Sequence, residues 1–192
     1  MAKQNGFIGP TYTNSGSGYL KFSRQMIYSN YAATTVSNTI TETGILSGSS
    51  AIGVRKIPAN TAYPGKQWRI QIRGFLQDTG TPTLRARLYL GISSSVLLWD
   101  SGTTTLPAIT GTAEFEADFL ITCYSKGSSG IVVAQGAFRI NNGSTPYVLG
   151  GFGNSTALDT TVDNIPELTL TWGTASSSNF ATRTTCLIES LN

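Results

Sequence analysis

Glu114, Glu116 and Asp118, at alternate positions in the run TAEFEADFLIT, have a spacing that paired catalytic carboxylates use. Alternate residues of a β-strand lie roughly 6 to 7 Å apart on one face, near the separation at which two carboxyls share the work of glycoside cleavage. Such pairs sit in a cleft among aromatic side chains, whereas here the arginines of neighbouring runs are available to neutralise them. The chain has no histidine, so the usual general base, the triad base and the commonest metal ligand are missing. Asp159, Asp163 and Asn164 offer calcium-type oxygens in DTTVDN, but without an established loop spacing the stretch reads as a polar turn. Cys123 and Cys186 lie inside strand-like runs without metal-ligand spacing and read as small buried hydrophobes rather than a disulfide. The two Asn-x-Ser/Thr matches, at Asn142 and Asn154, read as turns, and no glycine-rich phosphate loop appears. These features point away from an enzyme, with no metal and no cofactor expected.

The elements that carry these residues are strands. In LTLTW, near the end of the chain, Leu168, Leu170 and Trp172 alternate with Thr169 and Thr171, the period-2 pattern of a half-buried strand. The last run, TRTTCLIESL, alternates too, with Cys186 and Ile188 opposite Arg183, Thr185, Leu187 and Glu189. A closing strand must pair with one laid down much earlier, which is the habit of a sandwich or Greek-key barrel. In KQWRIQIRGF, Trp68, Ile70 and Ile72 face one way and Arg69 and Arg73 the other; in TLRARLYLG, Leu84, Ala86, Leu88 and Leu90 face inward and Arg85 and Arg87 outward. Joined by the turn QDTGTP, the two runs read as a hairpin, which puts the four arginines on one face. Like charges abreast are destabilising unless something answers them. Glu114, Glu116 and Asp118 supply the answer, so a charge network within one sheet or across a subunit boundary is expected. Each exposed pair is worth only about 0.2 to 1 kcal/mol, so the network bears more on register or partner choice than on stability.

Further strand-like runs are SVLLWD, GIVVAQGAFRI and PYVLGGF, and no segment sustains a helical apolar period. At 192 residues, with 12% charged side chains, the chain fits one domain with a sizeable core. The expected fold is all-β, an antiparallel two-sheet jelly-roll sandwich of eight to ten strands with an extended N-terminal arm. No run approaches the roughly 18 apolar residues of a membrane span, and the start MAKQNGFIGP lacks the apolar run of a secretory signal. Synthesis in a cytoplasm and no membrane partner are therefore expected.

Residues 1–41 differ from the rest. They hold Lys3, Lys21 and Arg24 and no acidic residue, so the whole net charge of +3 lies there. Six aromatics share the segment, between polar stretches such as TNSGSG. Aromatic side chains need a surface to bury against. An arm over 1–41 that docks on a partner, ahead of a domain over 42–192, explains both features, with Phe7, Tyr12, Tyr19, Phe22, Arg24, Ile27, Tyr28 and Tyr31 as anchor candidates. The competing expectation is that the segment forms a first strand and covers one end of its own domain. Three dispersed charges fall short of a nucleic-acid footprint, so no nucleic acid is expected.

The stretches IPANTAYPGKQWRIQIRGFLQDTGTPTLRARLYLG, GTAEFEADFLIT, SGIVVAQGAF and TTVDNIPELTLTWGTASSSNFATRTTCLIESLN resemble small TNF-like jelly-roll structural proteins of tailed bacteriophages. The resemblance covers roughly residues 45–192. It implies a homotrimer on the virion, made in the host bacterial cytoplasm and bound to the major capsid protein or another virion protein. It implies no catalytic residues. A capsid decoration or cement protein is the favoured role, because the chain has one knob and no long shaft repeat. The alternative is a head-fibre or tail knob that recognises a host-surface glycan or protein, with Tyr147, Phe152 and Phe180 as loop-tip contacts.

Overall fold

The computed structural model describes residues 24–47, 51–91, 95–109, 111–143 and 145–191, none of them helical. In chain order the strands are β1 (Gln25–Asn30), β2 (Thr34–Ser37), β3 (Thr43–Gly44), β4 (Ala51–Gly53), β5 (Gln67–Gln77), β6 (Thr83–Leu90), β7 (Val96–Asp100) and β8 (Thr104–Thr105). They continue with β9 (Ala113–Ser125), β10 (Gly130–Asn142), β11 (Thr145–Gly150), β12 (Phe152–Gly153), β13 (Ser155–Leu158), β14 (Pro166–Trp172) and β15 (Phe180–Leu191). Nine of them have five or more residues. The rest are short edge pieces without enough alternation to stand out in the sequence.

All pairings are antiparallel and form two sheets. The nine-stranded sheet runs β11-β10-β9-β5-β15-β1-β4, with β13 beside β10 and β2 beside β15; the six-stranded sheet runs β12-β7-β6-β14-β3, with β8 beside β6. Period-2 alternation turns one side of each sheet inward. Trp68, Ile70, Ile72, Phe115, Phe119 and Ile121 from the larger sheet and Leu84, Leu88, Leu168 and Trp172 from the smaller are all buried in one cluster. Trp99 and Phe119 meet edge to face across the two sheets, with ring centroids 4.9 Å apart. The fold is thus an all-β two-sheet sandwich, and the closing strand β15 does pair with strands laid down far earlier, β1, β2 and β5.

The expected hairpin is not there. β5 lies between β9 and β15 in the larger sheet, while β6 lies between β7 and β14 in the smaller, so the QDTGTP loop crosses from one sheet to the other. Identical alternation in two successive runs fixes which side faces the core, not which strand lies alongside. Within residues 24–41, β1 and β2 belong to the nine-stranded sheet, and Tyr28, 3% exposed, and Val36 are core residues, in keeping with the competing expectation of a first strand. Residues 1–23 lie outside the described residues.

A β-bulge between Arg183 and Thr185 changes the phase of the last strand. Because two residues of β15 stand opposite one of β5 there, Ala181 and Arg183 point inward before it and Cys186 and Ile188 inward after it. Arg183, expected on the side away from Cys186, is therefore completely buried. Its guanidinium donates to the carbonyl oxygens of Ile45 at 2.8 Å and of Asn30 and Ser47 at 3.3 Å, and to the Thr34 hydroxyl at 2.8 Å. One side chain thereby ties the segment from Asn30 to Ser47 to the final strand.

Candidate functional site

The four arginines expected on one face fall on two. On the outside of the nine-stranded sheet, Arg69 and Arg73 from β5 face Asp118 and Glu116 from β9. Arg69 grips Asp118 with both its Nε, at 2.9 Å, and an Nη. Arg73 pairs with Glu116, which stands directly opposite it, and Arg139 of β10 stands opposite Glu116 from the other side. Arg24, just before β1, pairs with Glu189 of β15. The Asp118 bond is the main reason the Arg69 guanidinium is held above its ordinary pKa. Glu114 shares the face but has no hydrogen-bond or ion-pair partner among the described residues.

On the outside of the six-stranded sheet, Arg85 and Arg87 of β6 take different partners. Arg85 forks onto Asp100 of β7, its Nε donating at 2.9 Å, and Arg87 reaches both Asp100, at 3.3 Å, and Glu42. Glu42 also accepts from the Thr169 hydroxyl. The Arg85 bond, helped by the Gly102 N–H, holds the Asp100 carboxyl below the usual carboxylate range. Burial pulls Glu42 upward, but bonds from Thr169, Tyr89 and Arg87 outweigh it and leave it lowered. Asp100 and Glu42 were invisible as partners in the sequence, because each acquires its role only from the strand set beside it.

The four arginines and their carboxylates therefore form two separate networks, one outside each sheet. Fork-shaped guanidinium grips of this kind fix side-chain geometry as well as contributing charge. Glu116, the middle carboxylate of the three, is occupied by Arg73.

The anchor candidates separate in the same way. Tyr28 lies in the core with its hydroxyl accepting from Asn30 Nδ2 at 2.8 Å, so it is not available to a partner. Ile27 is half-buried against the core, Arg24 is exposed and Tyr31 is 67% exposed. Phe7, Tyr12, Tyr19 and Phe22 lie outside the described residues. Tyr147 and Phe180, expected at loop tips, are strand residues of β11 and β15, both half-buried; Phe152 starts the two-residue strand β12. The Tyr147 hydroxyl donates to the Thr105 carbonyl.

The DTTVDN stretch is a hydrogen-bonded turn. Asp159 accepts from the Thr161 N–H and hydroxyl at 2.8 and 2.6 Å, Asp163 accepts from the Ala59 N–H at 2.8 Å and pairs with Lys56, and Asn164 donates to the carbonyls of Asp159 and Val162. Cys123 and Cys186 are free and buried, and burial pushes the Cys186 thiol up to about 12. Asp78, at the end of β5, gave no signal in the sequence. It is 3% exposed; Oδ1 accepts from the Ile109 N–H at 3.0 Å and Oδ2 has no partner among the described residues.

No family model matches the sequence, and no curated protein is similar to it.

Proposed function

We propose that the chain is a virion structural protein of a tailed bacteriophage, a homotrimeric capsid decoration or cement protein of jelly-roll connectivity that grips the major capsid protein through its N-terminal segment. The observation that carries this reading is how that segment is rooted. β1 runs between β15 and β4, inside the nine-stranded sheet, and Arg183 clamps the chain that follows it. A load on residues 1–23 is thus passed to a hydrogen-bonded ladder in the body of the sandwich rather than to a loose linker. In a closed trimer three such roots act together, and multivalence lets modest contacts per arm hold firmly. The resemblance to phage jelly rolls and the basic, aromatic composition of the first segment support the same role. The test is co-sedimentation of the full chain, and of a variant lacking residues 1–23, with empty expanded phage heads. Loss of binding on deletion supports anchoring; failure of the full chain to bind leaves the receptor-binding knob in its place.

A further inference from the structure

Two rows of side chains outside the nine-stranded sheet border a groove of about 280 Å³. In one row Asn141, Glu114 and Phe75 stand abreast on β10, β9 and β5, so neighbouring side chains lie about 5 Å apart. In the next row Arg139, Glu116, Arg73 and Thr185 stand abreast. The bulge in β15 brings Thr184 and Thr185 together to the rim, and bulges commonly re-aim side chains beside functional sites. Phe75 is 43% exposed, a large apolar side chain set among polar ones. Glu116 is occupied by Arg73, but the Glu114 carboxylate and the Asn141 amide have no hydrogen-bond partner among the described residues.

We propose that this groove binds a neutral hexopyranosyl unit of a polysaccharide. A pyranose ring has a face of polarised C–H groups and a rim of hydroxyls. The π face of Phe75 carries the negative lobe of its quadrupole and suits the C–H face. The Glu114 carboxyl oxygens accept hydrogen bonds from hydroxyls, while Asn141 and Thr185 both donate and accept, which matches the rim. Within the groove Arg73 answers Glu116, and the remaining carboxylate, Glu114, disfavours an anionic sugar. Its volume lies just under the roughly 300 Å³ at which pockets for drug-sized ligands begin, which suits one ring. The inference does not depend on the capsid role; it gives a surface protein a means of holding a polysaccharide.

The test is an NMR titration of the full chain with methyl hexopyranosides of gluco, galacto and manno configuration. The expected result is shifts concentrated at the amides of Phe75, Glu114, Asn141 and Thr185, with a millimolar Kd for at least one sugar. Phe75→Ala is expected to weaken that sugar about tenfold and Glu114→Gln about fivefold. Both side chains are exposed, and an unchanged Tm for each variant confirms folding. Absence of shifts in these rows with every hexoside, or an affinity unaltered by Phe75→Ala, overturns the proposal. Stronger binding of a methyl glucuronide than of the neutral sugars overturns the assignment of ligand class.

Discussion

Replacing Arg183 by methionine removes the guanidinium and keeps most of the side-chain volume, so it isolates the hydrogen bonds from the packing. Four are lost, two at 2.8 Å and two at 3.3 Å. A hydrogen bond involving a charged group contributes about 1.5 to 3 kcal/mol, and a buried carbonyl left without a partner costs about 1 to 3 kcal/mol. Counting the two short bonds fully and the two long ones weakly, then subtracting the relief of desolvating a guanidinium, leaves a loss of about 3 to 5 kcal/mol. Against a total stability of about 5 to 15 kcal/mol this is a large fraction. With a urea slope near 2 kcal/mol/M, the unfolding midpoint is expected to fall by about 1.5 to 2.5 M. Hydrogen exchange should locate the damage, with amides of residues 30–47 losing protection before those of β9 and β10. Arg183→Lys, which keeps the charge but reaches fewer acceptors, should fall between the two. A midpoint for Arg183→Met equivalent to less than about 0.5 kcal/mol from the unmodified protein refutes the clamp.

Asp78 makes the opposite prediction. Burial raises its pKa, so its ionised form costs stability that is absent below the unfolded pKa and appears as pH rises through the folded one. Asp78→Asn keeps an oxygen for the Ile109 N–H and removes the charge, so it should stabilise the protein at pH 7 by on the order of 1 kcal/mol. That advantage should shrink toward zero on acidification; thermal unfolding across pH 3 to 8 checks it, and a constant offset contradicts it. The cysteines should be inert in the folded protein. Burial keeps both thiols protonated at neutral pH, so a thiol-reactive dye should label neither until denaturant is added, and rapid labelling without it would refute their burial.

The alternation of Trp68, Ile70 and Ile72, and of Phe115, Ala117 and Phe119, was enough to identify the core faces of β5 and β9, because period 2 depends on a single strand. Neighbours depend on the whole topology, and for that reason the loop from Asp78 to Pro82 gave no sign that it crosses between sheets. The charge networks inherited this limit: the carboxylates lie on the expected side of β9, yet of the four arginines expected to answer them only Arg69 and Arg73 do, and Asp100 and Glu42 answer the other two. A single inserted residue, Thr184, was enough to turn Arg183 from the surface to the core. β1 and β2 fit the competing expectation of a first strand, but six and four residues among polar neighbours look the same in an arm as in a sheet, so the sequence did not decide between the two. The Phe75 row was out of reach of the sequence altogether, because three strands supply it.

Co-sedimentation with empty expanded phage heads tests the central proposal most directly, using the full chain and a variant that begins at Arg24 so that β1 stays intact. Light scattering first establishes the mass of each. Anchoring predicts that both are trimers and that only the full chain sediments with the heads. Equal binding by the two contradicts the arm as anchor, and absence of binding by the full chain contradicts the cement role itself.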